Sequence, residues 1–546
     1  MNHKFLPSRI LGPAAGVCSM ARSPLRGASG QDWSLRASKS NGLIALLIVL
    51  AFVGSRAALL VTSYDVNQNW EEPVFLFSAT ELQRDGIRNI FDHQDDLNHG
   101  GSVVVLLLAV PWVSAVGRSM VALKGVAIIW STLTLCAYLL VAWRYFSPRA
   151  ALLWGVLYLA LSPTAARLNV TLVGSHPEAL LPCALALAAY LEWVRRGADP
   201  EQQGLTFALG WTCGAALWVA YMSAMFVVPL LVLRLAYVRR PRTLGVSVAG
   251  LLFGLWPWVY QDLWLRPQGA MLWMRNLAAP HAAAGALQRW RDTATELVTS
   301  FGYADAGGAV MLTLCTLALL ALIVGVAVPA WRARWPWTPL TIVPLLIAPV
   351  LGFLMVANTS HPYHAIEGYY YFRFFIPLQM SLLLVFAVVS DAAAGSNSRL
   401  VFGAALVALA VGVWTQVPLY AQGNHYRADF ERDRSAGCHV YGAAEWDRAP
   451  DAAAAVRRLA GLSGAACQDS ALKGFGWGVA GRFLKDGNVA EAIATLDSIA
   501  DPRLRWAACG GVLFAVERAP EADVTAEQRS AALPRIAAYC RTLRPG

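Results

Sequence analysis

Gly42-Leu43-Ile44-Ala45-Leu46-Leu47-Ile48-Val49-Leu50-Ala51-Phe52-Val53-Gly54-Ser55-Arg56-Ala57-Ala58-Leu59-Leu60-Val61 is an apolar run broken by one charge, Arg56. A run of about 20 such residues matches the hydrocarbon thickness of a bilayer. Similar runs recur along the chain, at about 119–142, 150–167, 177–194, 205–221, 222–238, 243–261, 309–330, 338–356, 371–390 and 401–419. The fold expected is therefore an all-α, polytopic transmembrane bundle with about eleven spans.

Composition agrees with this expectation. Of 546 residues, 57% are hydrophobic and only 14% charged, and the mean hydropathy is +0.47. Soluble domains carry about 25% charged residues, so a soluble enzyme, a disordered chain and a small disulfide scaffold are excluded. The 21 Trp and 28 Pro suit membrane interfaces and spans, where both are tolerated or favoured. The net charge of +10 belongs to loops rather than to a nucleic-acid surface, since no basic run interleaved with aromatics is present.

Charge sets the orientation. Lys4, Arg9, Arg22, Arg26, Arg36 and Lys39 precede the first run, which keeps the N-terminus in the cytoplasm. The stretch 102–117 is apolar but short and holds Pro111. If it does not span, the loops with Arg144/Arg149, Arg195/Arg196, Arg234/Arg239/Arg240/Arg242, Arg332/Arg334 and Arg399 all fall inside, and the Lys- and Arg-free loops 168–176 and 357–370 fall outside. It is therefore expected to lie on the outer membrane surface. The expected organisation is a basic cytoplasmic tail over 1–41, a transmembrane domain over 42–420 with a first outer loop at 62–118, and an extracytoplasmic helical domain over 421–546. No cleavable secretory signal is recognised.

The last region carries 16 basic and 15 acidic residues from 420 onward. Leu472-Lys473-Gly474-Phe475-Gly476-Trp477-Gly478 and Leu504-Arg505-Trp506-Ala507-Ala508-Cys509-Gly510 lie 32 positions apart, a spacing compatible with a helical-pair repeat. Cys438, Cys467, Cys509 and Cys540 all follow the last span. In an oxidising compartment four cysteines allow three pairings; Cys438–Cys467 with Cys509–Cys540 is the sequence-local one.

The chemistry-bearing segment is Tyr64-Asp65-Val66-Asn67-Gln68-Asn69-Trp70-Glu71-Glu72-Pro73, just past the first span. Adjacent carboxylates at a membrane surface are costly unless solvated or used. One can serve as a general base toward a hydroxyl while another holds an acceptor or cation; an ordinary acidic translocated loop is the alternative. A short helical pattern over 74–85 closes at Gly86, and a polar stretch ends Asn98-His99-Gly100-Gly101.

This order of elements resembles the first outer loop of the GT-C integral-membrane glycosyltransferases, in the branch of protein O-mannosyltransferases and the lipid A aminoarabinose transferase. That branch has an Asp-Glu pair after the first span, then a short helix ending in Gly, then a His- or Lys-Pro-Pro element. Glu71 falls on the catalytic Asp, Glu72 on the Glu and His99 on the His or Lys. Glu for Asp lengthens the first carboxylate by one methylene, which leaves Asp65 as an alternative base. Gly100-Gly101 stand where the family has Pro-Pro. Ser162-Pro163 through His176-Pro177-Glu178 resembles the outer turn between the third and fourth spans, with His176 and Glu178 as sugar or acceptor contacts or as a capping turn. Trp256-Pro257-Trp258 resembles the outer end of a mid-chain span. Tyr369-Tyr370-Tyr371-Phe372-Arg373-Phe374-Phe375-Ile376-Pro377 resembles an aromatic-Arg-aromatic…Pro element, with Arg373 on the donor phosphate or snorkelling to the interface and Tyr371 as a substrate contact.

The resemblance covers about 42–420. It implies inverting transfer of a sugar from a polyprenyl-phosphate donor to a glycan, lipid or protein hydroxyl on the outer face. No cofactor is expected beyond the lipid-linked sugar. A divalent ion is not favoured, because neither Asp92-His93-Gln94-Asp95-Asp96-Leu97-Asn98-His99 nor His361-Pro362-Tyr363-His364-Ala365-Ile366-Glu367 has a recognised ligand spacing; His364 is a candidate acceptor or phosphate contact. A transporter or flippase of a lipid-linked or polar substrate, or a membrane scaffold acting through its outer tail, is the competing class. Transport is disfavoured by the absence of two related halves.

Overall fold

The computed structural model describes residues 39–62, 72–86, 90, 100–160, 162–199, 201–237, 240–260, 286–300, 306–327, 338–357, 373–394, 398–420, 430–448, 451–462, 464–483, 487–518 and 526–543. Among them all regular structure is helical. The elements are α1 (Lys39–Thr62), α2 (Glu72–Asp85), α3 (Gly101–Val116), α4 (Met120–Tyr145), α5 (Pro148–Leu159), α6 (Pro163–Leu168), α7 (His176–Arg195), α8 (Gln203–Val219), α9 (Ala224–Tyr237), α10 (Pro241–Tyr260), α11 (Ala286–Ser300), α12 (Ala306–Ala327), α13 (Pro339–Ala357), α14 (Ile376–Ala394) and α15 (Ser398–Tyr420). The C-terminal helices are α16 (Phe430–Arg448), α17 (Ala452–Ala460), α18 (Ala465–Phe483), α19 (Val489–Asp497), α20 (Pro502–Arg518) and α21 (Ala526–Thr542).

Among the described residues, six helices are long and apolar enough to cross a bilayer: Ser40–Thr62, Met120–Tyr145, Pro177–Arg195, Pro241–Tyr260, Pro339–Ala357 and Arg373–Ala394. The chain is an integral membrane protein. Gly101–Val116, Tyr221–Tyr237, Leu312–Val324 and Ala405–Tyr420 are shorter apolar helices.

The expected span 150–167 is two helices. Pro163 lacks the N–H that would continue α5, and the Ser162 hydroxyl instead caps α6 by accepting from the Ala165 amide at 3.2 Å. At 12 residues, α5 is about 18 Å long, short of a roughly 30 Å hydrocarbon core. A helix end inside an apolar bundle leaves carbonyls that need donors. The Leu159 carbonyl accepts from the Arg56 guanidinium and from the Gln416 amide, each at 3.3 Å. Arg56 also donates to Gln416 Oε1 at 3.1 Å. The one charge of the first apolar run is thus spent on this break.

Around it the bundle core is aromatic as well as aliphatic. Trp154 stacks between Tyr138 and Tyr158, with ring centroids 5.1 Å away on either side.

The C-terminal helices form three hairpins, α16/α17, α18/α19 and α20/α21, each pairing a helix with the next. Their first members pack side by side, backbone against backbone, at glycines. A Cβ on Gly442 would lie 1.8 Å from the Ala471 carbonyl oxygen, and one on Gly476 would lie 1.9 Å from that of Ala508. These first members begin at Phe430, Ala465 and Pro502, a step longer than the 32 positions between the two sequence motifs.

Cys438–Cys467 ties α16 to α18, and Cys509–Cys540 closes the last hairpin. Each bridge limits the freedom of the unfolded chain over a loop of about 30 residues, worth about 2–4 kcal/mol. Cys509→Ser with Cys540→Ser is therefore expected to lower the thermal midpoint of the purified protein. An unchanged midpoint would mean that the bridge contributes no stability.

Candidate active site

The site is assembled around the turn 169–175, between α6 and α7. Gly174 has φ +68°, a conformation in which a Cβ is strained. A Cβ there would also lie 2.5 Å from the Phe75 ring. Two carboxylates hold the turn. Glu178 Oε1 accepts from the Val173 amide at 3.1 Å, and Oε2 from the Ser175 amide at 3.0 Å. Glu72, at the start of α2, accepts from the Leu172 amide through Oε1 at 3.1 Å. Both Glu72 oxygens also receive Lys124 Nζ, at 2.7 and 2.6 Å, and Lys124 Nζ lies 3.4 Å from the Val170 carbonyl oxygen. The side chains of Glu72 and Lys124 are both fully buried.

Such a pair exists because neither ion could stay charged alone in this setting. Removing an ion from water costs several kcal/mol, offset here by the opposite charge and by backbone hydrogen bonds. The result is rigid, because the carboxylate is held by three donor contacts in fixed directions.

The next element joins the same turn. A Cβ on Gly101 would lie 1.9 Å from the Gly174 carbonyl oxygen, and one on Gly100 would fall within the Trp218 ring. The Gly100 amide donates to the Trp218 carbonyl at 2.8 Å. The Pro-Pro of the family pattern would clash at 101 and would lack the donor at 100. The departure from that pattern is therefore a packing requirement of this chain.

From Trp218 the chain runs into the 3-10 turn Tyr221–Ser223. Arg373 is buried, and its guanidinium lies 5.0 Å from the centroid of the Phe374 ring.

Glu72, Glu178 and Gly101 thus meet at one turn, with Gly100 beside it. Glu178, a candidate sugar or acceptor contact in the sequence, is buried and faces its own turn as a cap, the other role weighed for it. His176 opens α7. Glu71, Asp65, His99, Tyr371 and His364 lie outside the described residues, as do the segments 92–99 and 361–367.

Sequence reasoning missed Lys124, although it is the only charged residue in the expected span 119–142. A lone ammonium in an apolar run implies a partner, and an acidic loop next to the preceding span was the place to seek it.

The fold and site together define a polytopic helical membrane protein with a buried ion pair joining the start of α2 to α4. No protein-family model and no curated protein matches the sequence. Two solved structures of ArnT from Cupriavidus metallidurans are similar. The apo structure has a TM-score of 0.40 and 13% identity over 86% of this chain and 72% of that chain. The structure bound to undecaprenyl phosphate has a TM-score of 0.44 and 13% identity over 93% of this chain and 76% of that chain.

Proposed function

We propose that the protein is a membrane glycosyltransferase that moves a sugar from a polyprenyl-phosphate donor to an acceptor hydroxyl at the extracytoplasmic face. The observation that supports this most is the locked Glu72–Lys124–Leu172 constellation. It commits the second carboxylate of the pair to holding α2 against the 169–175 turn. A carboxylate whose oxygens are occupied by an ammonium and an amide is a poor proton acceptor. The base is then the neighbouring Glu71, with Asp65 as the alternative, and Glu72 is a positioning residue.

In this mechanism the acceptor hydroxyl gives its proton to the base as its oxygen attacks the anomeric carbon, and the bond to the donor phosphate breaks with inversion. The transition state has oxocarbenium character, like that of glycoside hydrolysis. The phosphate is a weak base and leaves without a carboxylic general acid. A guanidinium is suited to phosphate by its planar fork of donors, and Arg373 takes that role, neutralising charge as it develops. No resident cofactor enters the reaction; the acceptor is a glycan, a lipid or a protein.

The test is sugar transfer from polyprenyl-phosphate donors to membrane extracts by the purified full chain. Arg373→Ala is expected to lower the rate by about 10²–10³-fold, the usual effect of removing a donor aimed at developing charge, with membrane insertion unchanged. Wild-type protein inactive with every donor, or Arg373→Ala as active as wild type, would count against the mechanism.

A further inference from the structure

Helix α2 has two faces, and each belongs to a different core. Leu76, Ala79 and Leu82 cluster with Leu59, Val103, Leu106 and Leu123 of the membrane bundle. Phe77 clusters with Cys438, Leu472 and Phe475 of the C-terminal helices. The contact between α2 and α16 is as close as backbones allow. A Cβ on Gly437 would lie 2.1 Å from the Pro73 carbonyl oxygen and 2.9 Å from Phe77 Cβ. One turn further along, the Phe77 and Tyr441 rings face each other with centroids 5.0 Å apart. Helix α2 therefore extends the row of side-by-side helices α16, α18 and α20, joined through the same glycine contacts that hold the row together.

The position of this contact matters. Pro73 is the residue after Glu72, so the Gly437 contact and the Glu72–Lys124 pair lie at the same end of α2. Cys438, the next residue after Gly437, is bridged to Cys467, which fixes α16 against α18. The ion pair and the glycine contact together leave that end of α2 no room to shift.

We propose that the C-terminal helical array is a working part of the site: through Gly437 it clamps the start of α2 and sets the position of Glu72. Gly437 is a positioning residue and Tyr441 its supporting partner. The consequence for turnover rests on the transferase reading; the mechanical coupling does not.

Hydrogen exchange on the purified full chain tests the coupling. Gly437→Ala has no space for its methyl group, so α2 must move. Amides of 74–85 and of 170–175 are expected to exchange about tenfold faster, as local opening becomes easier, while those of 465–483 keep wild-type protection. Gly481→Ala, on α18 with open space around its Cβ, is the control and should match wild type throughout. Unchanged exchange at 74–85 and 170–175 in Gly437→Ala would overturn the proposal. If that variant does not insert, Tyr441→Ala is expected to give the same pattern, and unchanged exchange there overturns the proposal equally.

Where wild type transfers sugar, Gly437→Ala is expected to lose about 10–100-fold in kcat, the scale of a 1 Å misplacement, with donor KM within about twofold. An unchanged kcat despite faster exchange would overturn the positioning role. Wild type that transfers nothing defeats the transferase reading, and the exchange result then decides the coupling alone.

Discussion

Lys124→Met is expected to destabilise the folded protein by about 3–5 kcal/mol, because it removes the ammonium that faces the fully buried Glu72 carboxylate. Met keeps the length and apolar stem of Lys, so the loss is not one of volume. Burial of both partners and Lys124 contacts to both Glu72 oxygens put this pair outside the range of surface ion pairs, whose removal costs little. The measurement is the thermal midpoint of the purified protein together with its yield in the membrane fraction. Lys124→Met with Glu72→Leu is expected to recover much of the lost stability, since apolar pairs often replace buried ion pairs without penalty. The double variant leaves the Leu172 amide without its acceptor, so the 169–175 turn should stay loose while the bundle is restored. A single Lys124→Met variant as stable as wild type would show that the pair is solvated and holds nothing.

Why Lys124 escaped the sequence reading, while the fold class did not, follows from the physics of each signal. The fold class rests on summed apolar length, which every residue of a span reports independently. An ion pair depends on two residues 52 positions apart, and nothing local to Lys124 names its partner. The division of 150–167 was similarly hidden. The run 150–167 is apolar enough on average to read as one span, yet a missing N–H at Pro163 ends the helix, and the donors that make this tolerable, Arg56 and Gln416, come from α1 and α15.

Gly100-Gly101 read as a departure from the family pattern because the sequence does not show the backbone of Gly174 lying against Gly101. The C-terminal region was legible as helical from its composition. Its docking on α2 was not, since a glycine at a helix crossing has no side chain to announce the partner. The carboxylates of the 64–73 segment, Asp65, Glu71 and Glu72, were legible as a candidate site, but the division of labour proposed for the adjacent pair needed the burial of Glu72.

That division gives the sharpest expectation for chemistry. Glu71→Gln keeps size and hydrogen-bonding shape but cannot take a proton at neutral pH. Removing a positioned general base lowers turnover by about 10²–10⁴-fold. Transfer by Glu71→Gln is therefore expected to fall by that factor, with yield and thermal midpoint unchanged, because Glu72 holds the buried pair. Glu72→Gln should behave in the opposite way. It leaves the Lys124 ammonium buried without a counter-charge, so it should lower the thermal midpoint first and turnover through misplacement of the segment.

Asp65→Asn separates the remaining alternative. If Asp65 is the base, its amide variant carries the loss of turnover, and Glu71→Gln stays close to wild type. The comparison is made on kcat at saturating donor, since a base acts on the chemical step and not on donor affinity. Loss of kcat in Glu71→Gln at constant stability, with the reverse pattern in Glu72→Gln, assigns proton transfer to one carboxylate and architecture to its neighbour. Parallel losses of stability in both variants would mean that the two carboxylates share the structural role, and the search for the base would move to Asp65.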